Sequence, residues 1–156
     1  MEGDFTTYIY KPEEATSAVW IMVSTGMIFL MQAGFAMVES GSVRRKNSSS
    51  ILVKNMYHVV VSVICYWLVG YGLSFGNPNT MRFAGGDEEY YASSGFEKVP
   101  ENNYLNWMFH FTYAITCAVI AQGALGERTQ LVAYVILSAF IVTIVYPVIV
   151  AWTWGS

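Results

Sequence analysis

Long apolar runs alternate with short polar connectors along this chain. A membrane-spanning helix needs about 20 mostly apolar residues to cross a hydrocarbon core roughly 30 Å thick. Four runs qualify. They predict spans at about 18–38 (AVWIMVSTGMIFLMQAGFAMV), 53–75, 107–125 (WMFHFTYAITCAVIAQGAL) and 131–152. At about 1.5 Å of rise per residue the first run is roughly 31 Å long and can span. Helices of a soluble bundle would carry charged outer stripes, and these runs do not. The pattern predicts an all-α fold: a polytopic membrane helix bundle of about four transmembrane helices. In the third run, Ala114, Cys117, Ala118, Ala121 and Ala124 predict a small-residue stripe for close helix contact. Gly26, Gly34, Gly70 and Gly72 are expected to serve the same purpose.

The connectors set an orientation. The first, 40–50, holds Arg44, Arg45 and Lys46, with Lys54 just inside the next run. The second, 76–106, holds Asp87, Glu88, Glu89, Glu97 and Glu101 against Arg82 and Lys98. Lys and Arg concentrate on the cytoplasmic side. The first connector and GERTQ are therefore expected inside, and the N-terminus, the long second connector and the chain's end outside. The N-terminal MEGDFTTYIYKPEE lacks the basic region of a signal peptide, so the first span is expected to remain in the mature protein. Trp20, Tyr71, Tyr104, Trp107, Trp152 and Trp154 fall near the expected outer ends, as an interfacial aromatic belt would. Lys54 is expected to snorkel to the headgroups.

Composition narrows the function classes. Of 156 residues, 54% are hydrophobic and 12% charged, against about 25% charged in a soluble domain. The net charge of −3 offers no basic surface for nucleic acid. Cys65 and Cys117 lie in apolar runs and have no metal-motif spacing. No catalytic set, cofactor motif or metal cluster is visible, so the chain is not expected to be an enzyme. His58, His110 and Gln122 lie within spans. For a lone histidine there, a bond to a neighbouring carbonyl is the favoured reading and a proton relay the other.

Phe109 and Tyr113 are four apart and share a helix face, and Trp154 ends the fourth run on the same side. Aromatic faces at a pore mouth can hold a small cation, worth about 2 kcal/mol or more when dry. Spacing alone leaves two readings, and it favours an aromatic belt with two core rings over a cation site.

The run AGFAMVESGSVRRKNSSSILVKN (33–55), followed by YWLVGYGLSFG (66–76), resembles the ammonium transporter (Amt/Mep/Rh) family. So does GALGERTQLVAYVILSAF (123–140), followed by VYP (145–147). The likeness runs from about 15 to 154. It implies that residues 1–156 are the N-terminal part of an ammonium transporter domain, an incomplete ammonium-transporter fold with the second half absent. Its implied partners are ammonium or ammonia and the lipid bilayer, with a homotrimer if part of a full-length transporter. It also implies multi-pass residence in the plasma membrane with the N-terminus extracellular.

By the same resemblance Phe109, Tyr113 and Trp154 are substrate-binding residues. Phe109 matches the outer recruitment aromatic, Tyr113 a gate position usually held by phenylalanine, and Trp154 the tryptophan of the outer cation site. Ala151 stands where a polar residue or histidine is common. His58 and His110 do not match the family's pore-histidine motifs. The expected function is ammonium transport, the chain being an N-terminal fragment that does not conduct alone. The alternative is a non-conducting structural or assembly subunit derived from a transporter.

Overall fold

The computed structural model describes residues 12–76, 85, 88–93, 103–126 and 128–154. Among them the protein is helical, with no strand. Helix α1 is Pro12–Ser42. Pro at a first helical position, followed by two acids, suits a helix start, and the helix therefore begins before the apolar run does. A short 3₁₀ turn, Arg45–Asn47, leads into α2, Ser48–Cys65. A wide π-helical turn, Tyr66–Gly70, carries the chain into α3, Tyr71–Phe75. Helix α4 is Asn103–Gly123. Then α5, Leu131–Phe140, passes through a second π-helical turn, Ile141–Val145, into α6, Tyr146–Thr153.

Three of these rods are long and apolar enough to cross a membrane by length and composition: 15–42, 45–75 and 131–153. The fourth expected span forms α4, which is 21 residues long. It carries polar residues at Asn106, His110, Thr112 and Gln122, and it buries Thr112 and Gln122 against its neighbours.

The two π turns lie against each other, and each has a local cause. Pro147 is the second residue of α6. A proline there cannot donate to the carbonyl one turn back and would clash with it, so the helix widens just before it. At Gly70 the backbone approaches so closely that a Cβ would sit 2.5 Å from the Tyr66 ring and 3.0 Å from the Val142 carbonyl oxygen. Gly72 is equally constrained by the Tyr91 ring, 2.7 Å from such a Cβ. Tyr91 comes from a kinked segment, Glu88–Ser93. Its hydroxyl donates to the Gly85 carbonyl (3.2 Å), and burial pushes its phenol above the ordinary range.

The apolar core sits where the two π turns, α3 and α4 meet. It comprises Tyr66, Tyr71, Phe111, Ala114, Ile115, Ala118, Ile141 and Val142. Only 6% of the apolar stretch of α1 is buried, against 39% for 45–75. What α1 buries is polar: Thr25 (3% exposed), Gln32 (9%) and Glu39 (8%). These residues are seven apart, so they form one seam. Gln32 Nε2 donates to Thr116 Oγ1 on α4 at 2.9 Å.

Several expectations are corrected here. In the α4 stripe Ala114 and Ala118 are buried, but Cys117, Ala121 and Ala124 are exposed. Steps of three fall 60° short of a full turn, so the stripe drifts off the contact, and the buried face is instead Phe111, Ile115, Ala118 and Gln122. Gly26 and Gly34 meet nothing within 4 Å. Two belt aromatics belong to the interior: Tyr71 is 3% exposed, and Trp107 stacks on Phe111 at 5.7 Å. Lys54 reaches the connector 126–130. Its ammonium donates to the Gly126 and Thr129 carbonyls at 3.1 and 2.7 Å. Glu127, expected beside Arg128 in this connector, lies outside the described residues.

Candidate functional site

Near the end of the bundle where α3 stops and α4 begins, a cavity of about 400 Å³ opens between α4 and α6. Phe109, His110 and Tyr113 line it from α4. Tyr146 and Val150 line it from α6, together with Trp154 just beyond that helix. The chain places the rings by register. Phe109 and Tyr113 are four apart on α4. Tyr146, Val150 and Trp154 are successively four apart on the facing rod, so all three point the same way. The Trp154 amide closes the last turn onto the Val150 carbonyl at 2.7 Å.

The rings meet edge to face. Phe109 and Tyr113 have centroids 5.0 Å apart at 77°. His110 stands 5.5 Å from Phe109 at 87° and 6.3 Å from Trp154 at 73°. On its other side it packs on Phe75 at 4.5 Å. The three ring positions singled out in the sequence therefore border one cavity, and His110 links Phe109 to Trp154. Tyr113 and Trp154 remain 43% and 70% exposed, so one wall of the cavity is open. Its surface is apolar and aromatic with a few polar tips, suited to a small cation held on ring faces. Two members of this lining, His110 and Tyr146, were not assigned to it from sequence. Their signal was the four-residue spacing of Tyr146 with Trp154 and the adjacency of His110 to Phe109.

A second polar cluster lies toward the opposite end. His58 is fully buried. Its Nε2 lies 3.1 Å from the Ile115 carbonyl, which can only accept, so Nε2 carries the proton. Nδ1 then accepts, from Ser138 Oγ at 3.0 Å or Ser62 Oγ at 3.3 Å. Gln122 donates to Ser138 Oγ and to the Tyr134 carbonyl. Beside this set, Asn55 Nδ2 donates to Glu39 Oε2 at 2.7 Å, and the Tyr134 hydroxyl donates to Asn55 Oδ1 at 3.4 Å. One clasp thus ties α1, α2, α4 and α5 together. The carbonyl reading favoured for His58 is the one found.

Comparison with known proteins agrees with this architecture. The Ammonium Transporter Family pattern matches residues 19–156. The chain belongs to the ammonium transporter family. It is 34% identical to ammonium transporter 3 of Dictyostelium discoideum over 147 residues, covering 94% of this chain and 32% of that protein. It is 35% identical to ammonium transporter 1 member 3 of Solanum lycopersicum over 145 residues, covering 92% and 30%. Among solved structures a sensor Amt protein superposes with a TM-score of 0.83 at 32% identity, covering 89% of this chain and 34% of that one. This member of the family spans about a third of the length of these relatives. Family and apolar helices together make it a multi-pass membrane protein.

Proposed function

We propose that this chain supplies the outer cation-recruitment wall of an ammonium transporter. Phe109, Tyr113 and Trp154 would take an ammonium ion from water onto their ring faces. The observation that carries this reading is the convergence of the three rings, from two separate rods, on one cavity in a chain of this family. The cavity would open to the extracellular side, because the basic connector 43–47 belongs to the opposite end. On this reading the N-terminus is outside, in the plasma membrane. The four rods form the N-terminal part of the transporter domain, and the working assembly is a homotrimer.

The open wall also supports the expectation that residues 1–156 do not conduct alone. A half-lined path exposes a cation to hydrocarbon, which is costly. Tyr113 puts a hydroxyl where the resemblance implies a plain ring, giving a gate that is wetter than usual.

The test is a chimera in which residues 19–156 replace the matching third of the Solanum lycopersicum relative. Labelled methylammonium uptake is measured in cells without their own transporters. Uptake is expected from the chimera and none from the 156-residue chain. Phe109→Ala and Trp154→Leu in the chimera should each raise half-saturation by about 5- to 30-fold, the loss of about 1–2 kcal/mol of cation–π attraction. Unchanged concentration dependence in both would overturn the recruitment role. Uptake by the short chain alone would overturn the claim that further walls are needed. An inactive chimera that reaches the membrane would favour a non-conducting assembly subunit.

A further inference from the structure

The two histidines of this chain stand in opposite circumstances. His58 has both ring nitrogens within hydrogen-bonding distance of protein groups. His110 has rings around it: Phe75, Phe109 and Trp154. Its imidazole lines the cavity beside Tyr113. Ring faces attract any small cation and give little preference among them. A neutral imidazole adds what they lack, a lone pair that accepts an N–H. We propose that His110 is a direct ligand in this cavity, accepting a hydrogen bond from the bound cation and selecting cations that carry N–H over fully alkylated ones. The inference rests on the cavity being an ammonium site.

A dependence on acid follows. A protonated His110 has no acceptor and carries a like charge, so cation binding falls as the ring protonates. Among the described residues, the other titratable groups lining its cavity are phenols and a thiol. Tyr113 and Cys117 come from its own helix and Tyr146 from α6, and none of these is cationic.

The experiment uses the chimera described above in lipid nanodiscs with labelled histidine and tryptophan, the His58, His110 and Trp154 signals being assigned by substitution. It is titrated with methylammonium chloride and separately with tetramethylammonium chloride. His110→Phe keeps a ring packed on Phe75 and Trp154 and removes only the nitrogens. In the wild type, methylammonium should shift the His110 nitrogen signals and the Trp154 indole while leaving His58 unmoved. It should bind roughly tenfold tighter than tetramethylammonium, about fivefold from one hydrogen bond and about twofold from its smaller size. In His110→Phe that preference should fall to about twofold, because size discrimination survives but the acceptor does not. Acidification to the point where His110 is protonated should weaken methylammonium binding in the wild type and not in the variant. An unchanged preference or an unchanged acid response in His110→Phe overturns the inference. So does a Trp154 response with silent His110 nitrogens, which leaves the ring site standing. If neither residue responds to either probe, the ammonium site itself is wrong and this inference falls with it.

Discussion

The bundle holds two polar regions built on opposite principles. In the clasp of Glu39, Asn55, His58, Gln122, Tyr134 and Ser138, the side-chain donors find partners within the protein and the groups are largely hidden from solvent, while Glu39 Oε1 and Gln122 Oε1 are buried without a partner among the described residues. In the ring cavity the faces of Tyr113 and Trp154 stand open. Buried polar groups with partners hold helices in register where apolar packing cannot distinguish a neighbour from lipid. Rings with free faces contribute less to the fold and remain available to a ligand. Substitutions in the two regions should therefore separate stability from recognition.

The largest effect on stability should come from His58→Leu. It removes the buried bonds of His58 to the Ile115 carbonyl and to the Ser138 or Ser62 hydroxyl, at about 2–4 kcal/mol, although Ser138 keeps Gln122 and the Tyr134 carbonyl. Thermal unfolding in mild detergent should show a clear drop, with partial recovery in His58→Asn, which can still donate and accept. An unchanged midpoint in His58→Leu would mean that the clasp is not structural. Asn55→Ala comes next, at about 1–3 kcal/mol, because it strips Glu39 of its donor. Glu39→Gln in the same background should restore part of that loss, since an uncharged amide is cheaper to bury. Tyr113→Phe should change stability by no more than about 0.5 kcal/mol, because the ring is exposed. It should still alter the concentration dependence of uptake in the chimera if the hydroxyl stands at the proposed gate. The smallest expected signal concerns orientation. Asn47-Ser48-Ser49 is a glycosylation sequon, and no glycan is expected on a cytosolic connector. A glycan at Asn47 would place the ring cavity on the wrong side of the membrane.

The contrast also explains what could be read from the sequence. Helix positions were legible because the apolar runs are long: the last two rods, 103–123 and 131–153, lie within a few residues of their runs. The ends of α1 were not, because its helix continues into polar residues at both ends. Which face each helix buries was largely hidden. Lipid and core are both apolar, so α1 shows its direction only through Thr25, Gln32 and Glu39 recurring every seven residues. Glu39 directly follows the first apolar run, and nothing in the run's hydropathy marks it as inward-facing. The α4 stripe misled because small size alone does not say which side a helix turns inward. Phe109, Tyr113 and Trp154 were nameable through family resemblance, whereas spacing alone favoured an interfacial belt. What places them around one cavity is the register of α4 against α6, which the sequence shows only as two separate four-residue spacings.

The most direct measurement of the central claim pairs both readouts in the chimera. Phe109→Ala and Asn55→Ala are each measured for thermal midpoint and for half-saturation of methylammonium uptake. The account predicts that Phe109→Ala raises half-saturation several-fold while leaving the midpoint nearly where it was. Asn55→Ala should lower the midpoint and leave half-saturation nearly unchanged in the protein that remains folded. If Phe109→Ala lowers the midpoint without touching half-saturation, the cavity rings are packing, and the division between clasp and recognition site is wrong.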